Sequence, residues 1–174
     1  MATIYAIPDR DEDVVQMLRH VMDKWHQPLA QLQVRVGILL ATNPEGGGAV
    51  KHGGYPAMAT IKPTSLKDRV SKGYDAELVI DGEIWDQLAE ETKAALIDHE
   101  LSHITPVVKK GVDGKLAPQL DDLGRPKLKS VKGDWNCGDG FKHVVSRHGA
   151  DAVEFENIRR AHAIAVAAAN EGGR

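Results

Sequence analysis

The 174-residue chain has a single cysteine, Cys137, so no disulfide can form within it. That excludes a disulfide-stapled secreted scaffold and makes a reducing cytoplasm the expected location. No apolar run reaches the roughly 20 residues that a bilayer-spanning helix needs. The opening stretch, MATIYAIPDRDEDVV, lacks the basic start, long apolar centre and small-residue cleavage site of a secretory leader. Charge of one sign is also scarce: 22 Lys and Arg against 25 Asp and Glu give a formal net charge of −3, with a pI near 6.2. A protein whose main partner is bulk nucleic acid usually carries a strongly basic face, so that class is not expected here. The remaining composition, 42% hydrophobic and 27% charged, is that of a globular chain and excludes a coiled-coil rod, a collagen or a wholly disordered polymer. The length suits one domain over residues 1–174, with about the last four expected to be disordered.

Asp11 to Trp25 reads as an amphipathic helix. Asp11, Glu12 and Asp13 suit its first turn, where the helix dipole is positive, and Val14, Leu18, Val21, Met22 and Trp25 form one apolar stripe. Gln33 to Ala41 reads as a buried strand, Ala57 to Ile61 as a short one and Ala76 to Ile80 as a third. Between the first two, NPEGGGAVKHGGYP is a loop by composition. It resembles a phosphate cradle only superficially, because no GK[ST] signature and no helix follow it. The segment from Lys62 to Lys72 carries Lys62, Lys67, Arg69 and Lys72 and is expected to be a solvated charged stretch. Gly82 to Leu88 reads as a helical turn and Glu90 to Ile104 as a longer helix, stopped by Thr105-Pro106. VVKKGVDGKL suggests a hairpin within a long ordered loop. Helices over Asp139 to His148 and Asp151 to Asn170 follow, with Gly149 between them. The expected fold is α+β, a small twisted sheet packed against the Glu90–Ile104 helix and further helices.

That helix contains His99-Glu100-Leu101-Ser102-His103, an HExxH motif. Residues four apart share one helix face, about 6 Å along the axis, so two imidazoles so placed can converge on one Zn²⁺. Glu100 is turned about 100° from His99, where its carboxylate can take a proton from a zinc-bound water. Leu96, Ile97, Leu101 and Ile104 supply the apolar stripe that would bury the other side of the helix.

The stretches AELVIDGEIWDQLAEETKAALIDHELSHI, RPKLK and FKHVVSRHG resemble the phage metallopeptidase family, over roughly Ala76 to Gly149. More distantly the chain is similar to SprT-like and other minimal gluzincin-type proteases. The resemblance implies a zincin-like fold and a zinc-dependent peptidase encoded by a phage or prophage, acting on a peptide or protein in the cytoplasm of the bacterial host. In that family a His-Asp-x-Glu-like run precedes the position of Phe141. Here the run reads Asn136-Cys137-Gly138-Asp139-Gly140, so the acidic position falls on Asp139 and the histidine on Asn136.

A catalytic zinc normally has three protein ligands. His99 and His103 are two. Asp139 is the expected third, with His143, Glu154, Glu156 and Cys137 as alternatives, and Gly138 and Gly140 as the residues that let the backbone aim the short carboxylate. Asp98 is expected to be a solvated helix carboxylate, Tyr74 a packing residue before an oxyanion donor, and Trp85 with Leu88 a staple onto the HExxH helix. The Ala76–Ile80 strand would be the sheet edge along which an extended substrate lies. Glu100 is the expected catalytic base. The competing functions are a zincin-like binding module that recognises a host or phage protein, and a DNA-associated SprT-like protease using Lys62–Lys72 and Lys127–Lys132 as phosphate contacts.

Overall fold

The computed structural model describes residues 2–111, 114–134 and 139–171. In chain order the elements are β1 (Ile4–Ala6), α1 (Asp13–Trp25), α2 (Gln27–Gln31), β2 (Val36–Thr42), β3 (Val50–His52), β4 (Tyr55–Ala57), β5 (Ala59–Pro63), α3 (Leu66–Lys72) and β6 (Ala76–Asp81). There follow α4 (Gly82–Gln87), α5 (Glu90–Ser102), β7 (Ile104–Pro106), β8 (Val108–Lys110), β9 (Leu116–Pro118), β10 (Leu128–Ser130), α6 (Lys142–His148), a 3-10 turn (Gly149–Asp151) and α7 (Val153–Glu171). The fold is α+β, as expected, and no described helix is long and apolar enough to cross a membrane. The expected disorder of the last residues concerns positions that lie almost wholly outside those described.

β2 and β6 pair in parallel with Ile38 opposite Leu78 and Leu40 opposite Ile80, and β1 and β5 flank them antiparallel in the order β1-β2-β6-β5. A parallel pair needs a long crossover and covered faces, which explains why Ala76, Leu78 and Ile80 are all fully buried. This order overturns one expectation. β6 is interior, so the free edge beside α5 is β5.

Three of the α1 stripe positions, Val14, Leu18 and Val21, are buried, and α1 packs on α5. Trp85 of α4 is buried with them; its Nε1–H donates to the Asp13 carboxylate at 3.2 Å, and Lys93 Nζ of α5 stands 5.2 Å from its ring. One Trp thus ties α4 to the start of α1 and to the HExxH helix. The glycine-rich loop contains a hairpin, β3–β4, whose two-residue turn is Gly53-Gly54. Both have positive φ (56° and 89°), as a tight hairpin turn requires.

The Lys62–Lys72 segment is not merely solvated. Ser65 Oγ accepts from Asp68 N to start α3, and Gly73, at φ 79°, ends it in the left-handed conformation. Arg69, from that helix, is buried; its Nη1 donates to Asp121 Oδ2 at 2.7 Å and to the Pro126 carbonyl at 3.0 Å. Arg125 joins it by donating to Asp75, whose carboxylate also accepts from Arg35 N. This knot ties the long 107–130 segment to the near end of β6.

Candidate metal centre on the HExxH helix

α5 is buried on most sides. Ala95, Leu96, Ile97 and Leu101 face the core, and Lys93, Asp98, His99 and Glu100 are also buried. A helix that hides four charged or titratable side chains must supply each with a partner.

His99 and His103 turn their Nε2 atoms toward each other at 3.1 Å. Their Nδ1 atoms are engaged elsewhere. His99 Nδ1 lies 3.1 Å from Glu154 Oε1, at the start of α7, and His103 Nδ1 lies 2.9 Å from the Val131 carbonyl. A carboxylate and a carbonyl only accept, so both Nδ1 atoms carry hydrogen. In the neutral rings two Nε2 lone pairs then face each other, and a proton or a cation between them relieves the repulsion. Two nitrogens bound at about 2.0–2.1 Å to one tetrahedral zinc stand about 3.3 Å apart, close to the observed separation. The pair therefore fits a zinc ion. The Phe141 ring packs edge-on against both imidazoles, with centroids 5.5 and 4.7 Å away.

Burial opposes charge on His99, but the Glu154 hydrogen bond and the Glu100 and Asp139 carboxylates outweigh it and raise its pKa. Burial lowers that of His103, with the His99 and His52 charges adding to it against the Val131 carbonyl. His52, in the β3–β4 hairpin, belongs to this electrostatic neighbourhood, and sequence reasoning did not single it out. Glu100 is pushed up to about 7 by desolvation. His99 and a hydrogen bond from the Ile61 backbone in β5 resist that shift, and Asp139 adds to it. A carboxyl poised near neutrality is suited to taking and returning a proton.

The candidate third ligands fall in different places. Asp139 is beside the pair: its Oδ2 is 3.9 Å from His103 Nδ1, and its Oδ1 accepts from Gly133 N at 2.6 Å. The close approach in this loop belongs to Gly133, where a Cβ would overlap the backbone of Asp139 and Gly140. Among the described residues no cluster of three His, Cys, Asp or Glu side chains is arranged to hold a metal. His143, on α6, packs against another face of α5. The Ser102 hydroxyl donates to the Asp98 carbonyl and accepts from His143 Nε2, both at 2.7 Å. There His143 lines a separate cavity of about 440 Å³ with Trp25, Phe141 and Arg147. Glu156 is paired with Arg159 and Arg160. Cys137 and Gly138 lie outside the described residues.

Two further expectations meet the structure. Tyr74 stands apart from the pair: its hydroxyl donates to Glu77 Oε2 at 2.6 Å, and its ring occupies the space a Cβ on Gly37 would need. Asp98 is not solvated but fully buried. Its carboxylate accepts from His26 Nε2 and Arg147 Nη1 at 2.7 Å and from His148 Nε2 at 3.0 Å, and these hold its pKa far below the usual range against the cost of burial.

The family described as Putative phage metallopeptidase matches residues 9–164. The chain belongs to that family. No curated protein and no solved structure matches it. Membership implies a metal ion and a peptide or protein substrate.

Proposed function

We propose that this chain is a zinc-dependent metallopeptidase, a single zincin-like domain working in the cytoplasm of a phage-infected or prophage-bearing bacterium. His99 and His103 hold the metal through Nε2, Asp139 completes the protein ligands, and Glu100 is the catalytic base. The observation that carries this reading is the Nε2 pair at 3.1 Å with both Nδ1 atoms already committed.

When bound, zinc supplies Lewis acidity that polarises a scissile carbonyl and acidifies water. The chain does the rest. Glu100, buried and pushed up to about 7, accepts a proton from the attacking water and returns it to the leaving amine. The free edge of β5, whose Ile61 backbone reaches Glu100, offers an extended peptide a strand to pair with. The 46% exposure of the Asp139 side chain leaves it free to turn from its present contacts.

A zinc-holding binding module is the second reading, favoured by the absence of a third ligand already assembled among the described residues. The experiment pairs metal analysis with turnover of casein. The parent should hold one zinc per chain and the His99→Ala/His103→Ala variant none. Glu100→Gln should keep its zinc and cleave about 10²–10⁴-fold more slowly. Stoichiometric zinc in the double variant refutes the metal assignment, and parent-rate cleavage by Glu100→Gln refutes the base.

A further inference from the structure

Glu154 has no task in the mechanism above, yet its placement is unusual. It is the second residue of α7, its side chain is 1% exposed, and it lies 55 positions from the histidine it touches. Oε1 receives both the His99 Nδ1 contact at 3.1 Å and the Phe141 backbone N–H at 3.0 Å. Oε2 is buried with no hydrogen-bond partner. A buried carboxylate with one unpaired oxygen is costly, and an apolar residue of similar size would avoid that cost. What would compensate is negative charge held against the far edge of His99.

Resting on the reading of His99 and His103 as metal ligands, we infer that Glu154 is the positioning residue of the centre. It fixes His99 in the Nδ1–H tautomer, which leaves Nε2 free to bind. Through the Phe141 N–H it also sets the aromatic wall against both imidazoles. It is not a ligand in this arrangement, because Oε1 faces the ring edge opposite Nε2. A carboxylate on a ligating imidazole orients the ring and raises its basicity, and losing one typically costs 10–100-fold in metal affinity.

Three readouts on Glu154→Gln test this, with Glu156→Gln as the control from the same helix. The first needs no metal: nitrogen NMR of the zinc-free protein, at a pH well above the titration of His99. It should show a single Nδ1–H tautomer in the parent and a mixture in Glu154→Gln, whose amide can present either an oxygen or an N–H. The second is chelator competition with Zn²⁺, which should show about 10–100-fold weaker binding in Glu154→Gln and none of that loss in Glu156→Gln. The third is the Co²⁺ absorption spectrum, which should keep the parent band pattern. An Nε2–H tautomer in the parent overturns the inference even if the variant fails to fold. So does zinc affinity unchanged in a variant that merely melts earlier. A far larger zinc loss with an altered Co²⁺ spectrum would make Glu154 a ligand and equally overturn it. If the parent binds no zinc, the metal reading fails while the tautomer result still decides the role of Glu154.

Discussion

Asp98→Asn should be among the most damaging isosteric changes in this chain. The carboxylate is fully buried and accepts from three side chains on one helix and one junction: His26 between α1 and α2, and Arg147 and His148 at the end of α6. An asparagine keeps one acceptor, but its NH₂ must face a donor, and Arg147 loses its counter-charge. Breaking a buried pair by removing one partner costs about 3–5 kcal/mol. Arg147 retains 30% exposure, which puts the expected loss near the lower end, about 3 kcal/mol. At about 2–4 °C per kcal/mol for a chain of this size, melting should fall by about 6–12 °C. The sign with pH is fixed. Because the folded pKa of Asp98 is depressed, its contribution is fully present above the unfolded carboxyl pKa of about 3.9 and is lost as pH falls toward the folded value. Urea denaturation of the zinc-free parent and variant should therefore show the full difference at pH 7 and 5 and a shrinking one below pH 4. A loss under about 1 kcal/mol at pH 7, or a gap that persists into acid, would refute the network's role.

Zinc at about 100 times its dissociation constant should stabilise the parent by about 2.7 kcal/mol, read as a concentration-dependent rise in melting temperature that His99→Ala/His103→Ala lacks. Asp139→Ala should weaken zinc binding in chelator competition far more than Asp122→Ala; equal affinities would remove Asp139 from the ligand set. Gly37→Ala forces a methyl group into the Tyr74 ring and should cost about 1–3 kcal/mol in denaturant, and an unchanged midpoint would contradict that packing. Burial and the Glu77 carboxylate raise the pKa of Tyr74, so ultraviolet titration should place its phenol above the ordinary value of about 10 and lower it in Glu77→Gln. No change between the two proteins would break that link.

Elements whose signal is local were legible in the sequence. The acidic start and apolar stripe of α1 foretell a helix because both act within a few residues, and the structure buries Val14, Leu18 and Val21 as that stripe requires. β2 and β6 read as continuous aliphatic runs, the mark of strands covered on both faces. α3 carries a local start and stop in Ser65, Asp68 and Gly73, but its basic charges read equally well as a solvated stretch. The burial of Arg69 was not legible, since Asp121 is 52 positions away. The burial of Asp98 is hidden for the same reason: His148 is 50 positions off and His26 is 72. Which strand forms the sheet edge was equally hidden, because strand order is decided by crossovers and not by the composition of any one strand.

The proposed metal centre divides along the same line. That His99 and His103 share a face follows from helix pitch alone. Which nitrogen each ring leaves free does not follow, because that depends on what the fold sets against Nδ1. The Val131 carbonyl arrives from a loop 28 positions beyond His103, and the Glu154 carboxylate from a helix 55 positions beyond His99. No spacing rule links either to the motif. Asp139 shows the converse. Its acidic character is legible and the fold brings it to His103, yet its hydrogen bond to Gly133 N and its approach to Nδ1 hold it on the ring edge away from the Nε2 atoms proposed to bind the metal. For Asp139 to become a ligand, the Gly133 contact must break and the carboxylate must swing round the His103 ring. The zinc-binding steps should then be separable in time: capture by the two histidines first, carboxylate closure second. Removing Asp139 should therefore speed zinc release while leaving the rate of capture nearly unchanged.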